Sequence, residues 1–191
     1  MRLPTLRPPA RRTGWAAWLA GMALALLLGA TGHAPAQPMA TEPEVKAAYL
    51  QKFLAYVEWP AATFTDPEAP LVVGVAGDPA VHAALQPITA ARREHGRPVE
   101  VRRLGESDGV EGLHVLFIGR AANPARWNAR LQGRPVLVVT DHARGLEGGG
   151  MLNFVPVDGR IRFEASLAQA QLAGLRLGAR LLTVAERVVT P

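Results

Sequence analysis

GGGMLNFVPVDGRIRFEAS, residues 148–166, decides how this chain is built. Three glycines precede an alternating run that carries Asn153, Arg160, Arg162 and Glu164, so the segment is a phosphate cradle, the wall of a catalytic cleft, or a pair of strands. A phosphate loop needs its glycines followed by Lys-Ser or Lys-Thr at a helix N-terminus, where backbone N–H groups and the helix dipole converge on the anion. Here Met151-Leu152 follows them, and Asp158-Gly159 is a strong two-residue hairpin turn. The turn sets Val157 opposite Arg160, Val155 opposite Arg162, Phe154 opposite Phe163 and Asn153 opposite Glu164. Leu152, Phe154, Pro156, Ile161, Phe163 and Ala165 then share one apolar face. Met151, Asn153, Val155, Arg160, Arg162 and Glu164 share the other.

Upstream of the hairpin the pattern is different. LVVGVAG (71–77) is an unbroken apolar run rich in valine, as expected of a strand covered on both faces in a parallel sheet. PVEVRRL (98–104), LHVLFIG (113–119) and RPVLVVTD (134–141) are further strands. Asp78-Pro79 is an N-cap followed by proline at the first helical position, which starts a helix running to about Ala91; Asn123 caps another over 123–131. TEPE (41–44) is a capping box, and Val45, Ala48, Tyr49, Lys52, Phe53 and Tyr56 follow at helical spacing until Trp59-Pro60 stops the helix. Downstream, Ser166 and Gln169 form a second capping box for a short helix that Gly174 closes. Residues 175–189 are expected to contain a brief extended piece and a last helix packed through Leu181, Leu182, Val184 and Ala185. Strands alternating with helices imply an α/β fold: a single-domain open mixed β-sheet with helices on both faces and a C-terminal β-hairpin.

Residues 1–36 are expected to be a signal peptide. Arg2, Arg7, Arg11 and Arg12 precede the uncharged run WAAWLAGMALALLLGA (15–30), and APAQ (34–37) offers the small residues a signal peptidase needs. At sixteen residues the run is short for a membrane span of roughly 20. The leader holds four of the 21 Lys and Arg and no Asp or Glu, so residues 37–191 balance 17 basic against 16 acidic groups. The basic character of the whole chain therefore belongs to the leader. No basic stripe with interleaved aromatics remains to follow a nucleic-acid backbone. The chain has no cysteine, which removes disulfides, thiolate nucleophiles and Cys-based metal sites.

Catalytic signatures are equally sparse. GVAGDP (74–79) lacks the G-x-G-x-x-G spacing of a dinucleotide loop. Ser107 and Ser166 lie outside any G-x-S-x-G elbow, and no histidine has a second ligand at helical i+3 or i+4 spacing. Asp141-His142, at the end of a strand where α/β ligands usually bind, comes nearest. No catalytic residues, metal ligands or cofactor are expected. The remaining side chains with binding chemistry are Asn153, Arg160, Arg162 and Glu164 on the hairpin, where guanidinium forks suit carboxylate or phosphate, together with Lys52, Trp59 and Arg176.

Taken in order, VKAAYLQKFLAYVEWP (45–60), GRPVEVRRL (96–104), HVLFIG (114–119), GRPVLVVTD (133–141) and GGMLNFVPVDGRIRFEASLAQAQLAGLRLGARLL (149–182) resemble the YfiR-like periplasmic proteins. The resemblance implies a compact α/β domain, often dimeric, without enzymatic activity. It also implies a function: the best-known relative represses an inner-membrane diguanylate cyclase by binding that enzyme's periplasmic portion, which lowers cyclic-di-GMP signalling and biofilm formation. Small-molecule effectors have been proposed for the family. The disulfide cysteines of better-known members are missing here. The expectation is an exported regulator that binds a membrane sensor. The alternative is a periplasmic ligand-binding module with its pocket near Asp78 and Asp141.

Overall fold

The structure, a computed structural model, describes residues 39–64 and 66–191; the expected signal peptide lies outside the described residues. Helix α1 (Glu42–Tyr56) begins at the capping box, where the Thr41 backbone N–H and hydroxyl both donate to Glu44 Oε2, at 2.7 and 2.8 Å. The backbone bond first, and the hydroxyl bond second, hold the Glu44 carboxyl below the ordinary carboxylate range. The helix gives way to β1 (Val57–Glu58) just before Trp59-Pro60. Its buried side is Lys46, Ala47, Leu50, Phe53 and Leu54, whereas Ala48, Lys52 and Tyr56 from the expected stripe are exposed. Apolar residues encircle this helix, so their spacing carries little phase information, and the buried lysine depends on a partner far away in sequence.

Five parallel strands form the centre of the fold: β2 (Leu71–Ala76), β4 (Arg97–Leu104), β5 (Val115–Ile118), β6 (Leu137–Thr140) and β7 (Leu152–Val157). Their spatial order is β4-β2-β5-β6-β7. Every residue of β2, β5 and β6 is buried, as both faces of a covered parallel sheet require. Helix α2 (Pro79–Thr89) links β2 to β4, and α3 (Pro124–Leu131) links β5 to β6. Asp78 Oδ1 accepts from the N–H groups of Ala80 and Val81, at 3.1 and 3.0 Å, and Asn123 Oδ1 caps α3 in the same way. The two crossovers travel in opposite directions from β2 and β5, so right-handed connections place α2 and α3 on opposite faces. The point of reversal lies between β2 and β5.

The sheet is completed by β3 (Arg93–Glu94), antiparallel to β4, and by the hairpin of β7 with β8 (Arg160–Ser166). The observed hairpin register is the expected one, from Val157 opposite Arg160 to Leu152 opposite Ala165. Asp158 and Gly159 both take positive φ, 48° and 71°, the signature of a type I′ turn whose twist matches the strands. The apolar face packs on α1: Phe53 and Phe163 meet edge to face with centroids 4.9 Å apart, and Tyr49, Phe154 and Phe117 complete the cluster within 5.9 Å. Such pairs contribute roughly 0.5–1.5 kcal/mol each beyond their burial.

Ser166 caps α4 (Leu167–Leu172), accepting from Gln169 N at 3.3 Å, and Gly174 follows with φ 71°. Next come β9 (Arg176–Leu177), which pairs with β1, and α5 (Ala179–Thr183). The expected last helix stops there. Val184 is 57% exposed, and β10 (Arg187–Val189) joins the sheet parallel to β8, beginning where Glu186 N donates to Phe163 O at 2.8 Å. The pattern Arg-Val-Val is too short to announce a strand; it is extended because β8 offers an unpaired edge. No helix among the described residues is long and apolar enough to cross a membrane.

Candidate interaction surface

On the polar side of the hairpin, alternation with Ile161 and Phe163 turns Arg160, Arg162 and Glu164 away from α1. Arg162 pairs with Glu186 at 3.4 Å and Glu164 with Arg187 at 2.9 Å, so β10 extends the charged ladder by one strand. Exposed pairs of this kind contribute about 0–1 kcal/mol each and leave the charges available to a partner. Arg160 has no ion pair among the described residues. With Arg162, Glu186, Val157 and Asp158 it borders a shallow hollow of about 490 Å³.

Asn153 belongs elsewhere. It is 1% exposed, and its Oδ1 accepts from Thr140 Oγ1 at 2.7 Å and from His142 N at 3.3 Å. The glycine loop closes over this pair. A Cβ on Gly145 would sit 2.1 Å from Thr140 Oγ1 and 2.3 Å from Asn153 Oδ1, and one on Gly150 would sit 2.8 Å from the Gly145 carbonyl. Close packing of the loop on β6 and β7 is therefore what these glycines provide.

Lys52, Trp59 and Arg176 lie at the far end of α1 and in the β1–β9 ribbon. Lys52 is exposed. Arg176, 85% exposed at its side chain, faces Glu58 at 3.7 Å. Trp59 is half-buried, donates from Nε1 to the His114 carbonyl at 3.1 Å and meets His95 edge to face at 6.0 Å, so its ring is a structural wall. Helix α1 covers the sheet face opposite the hairpin arginines. The seven expected residues therefore divide between two faces and a buried position, and only Arg160, Arg162 and Glu164 form one surface.

The C-terminal ends of the parallel strands hold a charge cluster that sequence patterns did not reveal. Lys46 Nζ donates to Asp141 Oδ2 at 2.5 Å and also to Glu42 Oε1. Their side chains are 3% and 5% exposed for Lys46 and Asp141. Arg120 spans the mouth, with Nε 3.2 Å from Asp141 Oδ2, one terminal nitrogen donating to Oδ1 at 3.3 Å, and Glu42 at 3.2 Å. The hydrogen bond from Lys46, opposed by burial and reinforced by the Lys46 and Arg120 charges, holds the Glu42 carboxyl below the ordinary range. Beside it, His142 Nε2 lies 3.0 Å from the Gly119 carbonyl, and Asp78 is engaged in its cap. Asp141 and His142 thus face different partners and no serine hydroxyl joins them. The arrangement ties α1 to the end of β6. Among the described residues no group of three or more His, Cys, Asp or Glu side chains is arranged to hold a metal ion.

A family model described as YfiR/HmsC-like matches residues 43–186, from the first turn of α1 to the residue before β10. No curated protein matches the chain.

Proposed function

Because the chain belongs to the YfiR/HmsC-like family, we propose that it is a non-catalytic regulator that acts in the periplasm. In this proposal it docks on the periplasmic portion of an inner-membrane sensor, a diguanylate cyclase, and holds that enzyme in its low-activity state, lowering cyclic-di-GMP signalling. The observation that carries the proposal is the match across residues 43–186, which takes in the α1–hairpin packing as well as the central sheet. The arginine-rich leader and its apolar run support export.

Repression by docking has a thermodynamic requirement. The regulator must bind the inactive conformation of its partner better than the active one, and about 3 kcal/mol of difference shifts the balance roughly 150-fold. A stable contact of this kind buries about 1,200–2,000 Å² in total. The ladder of Arg160, Arg162, Arg187, Glu186 and the half-buried Glu164 supplies a patch of both charge signs for a partner surface of complementary pattern. Patches of this type act mainly on association rate and salt dependence. The experiment is a cyclic-di-GMP reporter in cells carrying the cognate cyclase. Deleting the chain should raise the signal, the wild-type chain should restore it, and R160E/R162E should restore it poorly while reaching wild-type abundance. Full restoration by R160E/R162E would remove the hairpin from the interface; no response to deletion would defeat the proposal.

A further inference from the structure

At the opposite end of the sheet from the Lys46 cluster, around the N-terminal ends of β2, β5 and β6, lies a cavity of about 600 Å³. Its walls are largely apolar, formed by Val72, Val110, Leu113, Pro135 and Val136 among others, and its volume is within the range of small-ligand sites. His114 interrupts this lining. It is 7% exposed, and its Nδ1 accepts from the Val72 backbone N–H at 3.0 Å. An Nδ1 that accepts requires the neutral ring to carry its proton on Nε2. That Nε2–H has no hydrogen-bond partner among the described residues, and the cavity is the space the ring borders. This open donor is suited to meeting an acceptor from outside the chain, and beside it on the cavity wall the buried Thr63 hydroxyl has no partner among the described residues, a group whose isolation costs about 1–3 kcal/mol.

The potential around that donor is positive. Phe64 stacks on His114 with centroids 4.7 Å apart, and the Arg97 guanidinium lies 3.9 Å over the same Phe64 ring. Arg97 is held by the Asp66 and Ala69 carbonyls, at 2.6 and 3.0 Å, so no carboxylate neutralises it among the described residues. Arg102 and Arg134 also border the cavity, each paired with one glutamate, Glu100 or Glu111. Burial first, then the Arg97 and Arg102 charges, hold the His114 pKa below its ordinary value of 6.5. The ring is thus an uncharged donor in a positive field. Two uncharged donors, the His114 ring and the Thr63 hydroxyl, with partly neutralised arginines suit a single negative charge, while a phosphate dianion needs more donors than the apolar walls offer.

We propose that this cavity binds a small carboxylate with an apolar body, its carboxylate accepting from His114 Nε2–H and its body lying against Val72, Val110, Leu113 and Val136. The site is independent of the docking surface on the hairpin, which is on another part of the fold.

The test is calorimetric titration of residues 37–191 with hexanoate and with the uncharged hexanamide. Hexanoate should bind saturably and hexanamide at least tenfold more weakly. His114→Asn keeps an oxygen able to accept from Val72 N–H and removes the ring donor; it should weaken hexanoate by about 10- to 150-fold, the loss of a hydrogen bond to a charged group. Ala62→Trp, at an exposed position on the cavity wall, should abolish binding without changing the melting temperature, so the proposal stays testable if the His114 variant fails to fold. Absence of saturable hexanoate binding at millimolar concentration would overturn the proposal. Equal affinity for the amide, or undiminished binding by Ala62→Trp, would do the same.

Discussion

Replacing Lys46 with methionine is the most informative perturbation of the fold. Methionine matches the length of the lysine stem and stays apolar, so the substitution removes the charge and little of the packing. It leaves Asp141, 5% exposed at its side chain and fixed at the end of β6, with only the Arg120 fork, whose own side chain is 63% exposed and screened by solvent. Breaking a buried pair by removing one partner costs roughly 3–5 kcal/mol, and the surviving arginine contact places K46M near the lower end, about 3 kcal/mol. For a domain of this size each kcal/mol moves the melting temperature by about 2–4 °C, so K46M should melt about 6–12 °C below the parent. D141N should cost less, about 1–2 kcal/mol, because the long lysine stem can follow Glu42 toward solvent. In K46M/D141N the two losses should fall short of additivity by at least about 1 kcal/mol. Urea unfolding of residues 37–191, followed by the fluorescence of Trp59 and Trp127, measures all three. A K46M variant within about 0.5 kcal/mol of the parent, or strictly additive losses, would refute the assignment of Lys46–Asp141 as the tie between α1 and the sheet.

Gly145→Ala drives a methyl group against Thr140 Oγ1 and Asn153 Oδ1; we expect about 1–3 kcal/mol of destabilisation, and an unchanged unfolding midpoint would contradict the close-packing account of the loop. Asn153→Ala removes the acceptor shared by Thr140 and His142 and should cost about 1–3 kcal/mol, with faster amide exchange at His142 as the accompanying sign. His114 is held neutral by burial below its ordinary pKa of 6.5, so the unfolded chain takes up this proton first. Its contribution to stability is complete above pH 6.5 and declines as pH falls below that value, until the folded-state pKa is passed. Urea midpoints measured across this window should fall more steeply for the parent than for His114→Asn, and parallel curves would exclude the histidine as the source.

Local chemistry made much of this fold legible. Asp158-Gly159 fixed the register of β7 and β8 because a turn with two positive φ values admits few sequences, and Asp78, Asn123 and Ser166 marked helix starts because their side chains satisfy orphan N–H groups. The face of α1 was not legible. Its apolar residues surround the axis, and Lys46 is buried only because Asp141 lies 95 residues away in sequence and adjacent in space. The burial of Asn153 was not legible for a related reason: alternation put it correctly on the polar face of β7, and the closing glycine loop then buries that end of the strand. The charge cluster at the strand ends and the cavity around His114 are tertiary constructions. Each draws its polar groups from different elements, and no window of sequence contains them together.

The most direct measurement of the functional account is titration of purified residues 37–191 against the cognate diguanylate cyclase reconstituted in membrane vesicles with its periplasmic portion accessible, reading binding and cyclic-di-GMP production together. The account predicts saturable binding to that portion, a fall in cyclic-di-GMP production that follows the fraction bound, and recovery of activity when the regulator is washed away unchanged. Undiminished production with the periplasmic portion saturated, or no binding at all, would contradict it.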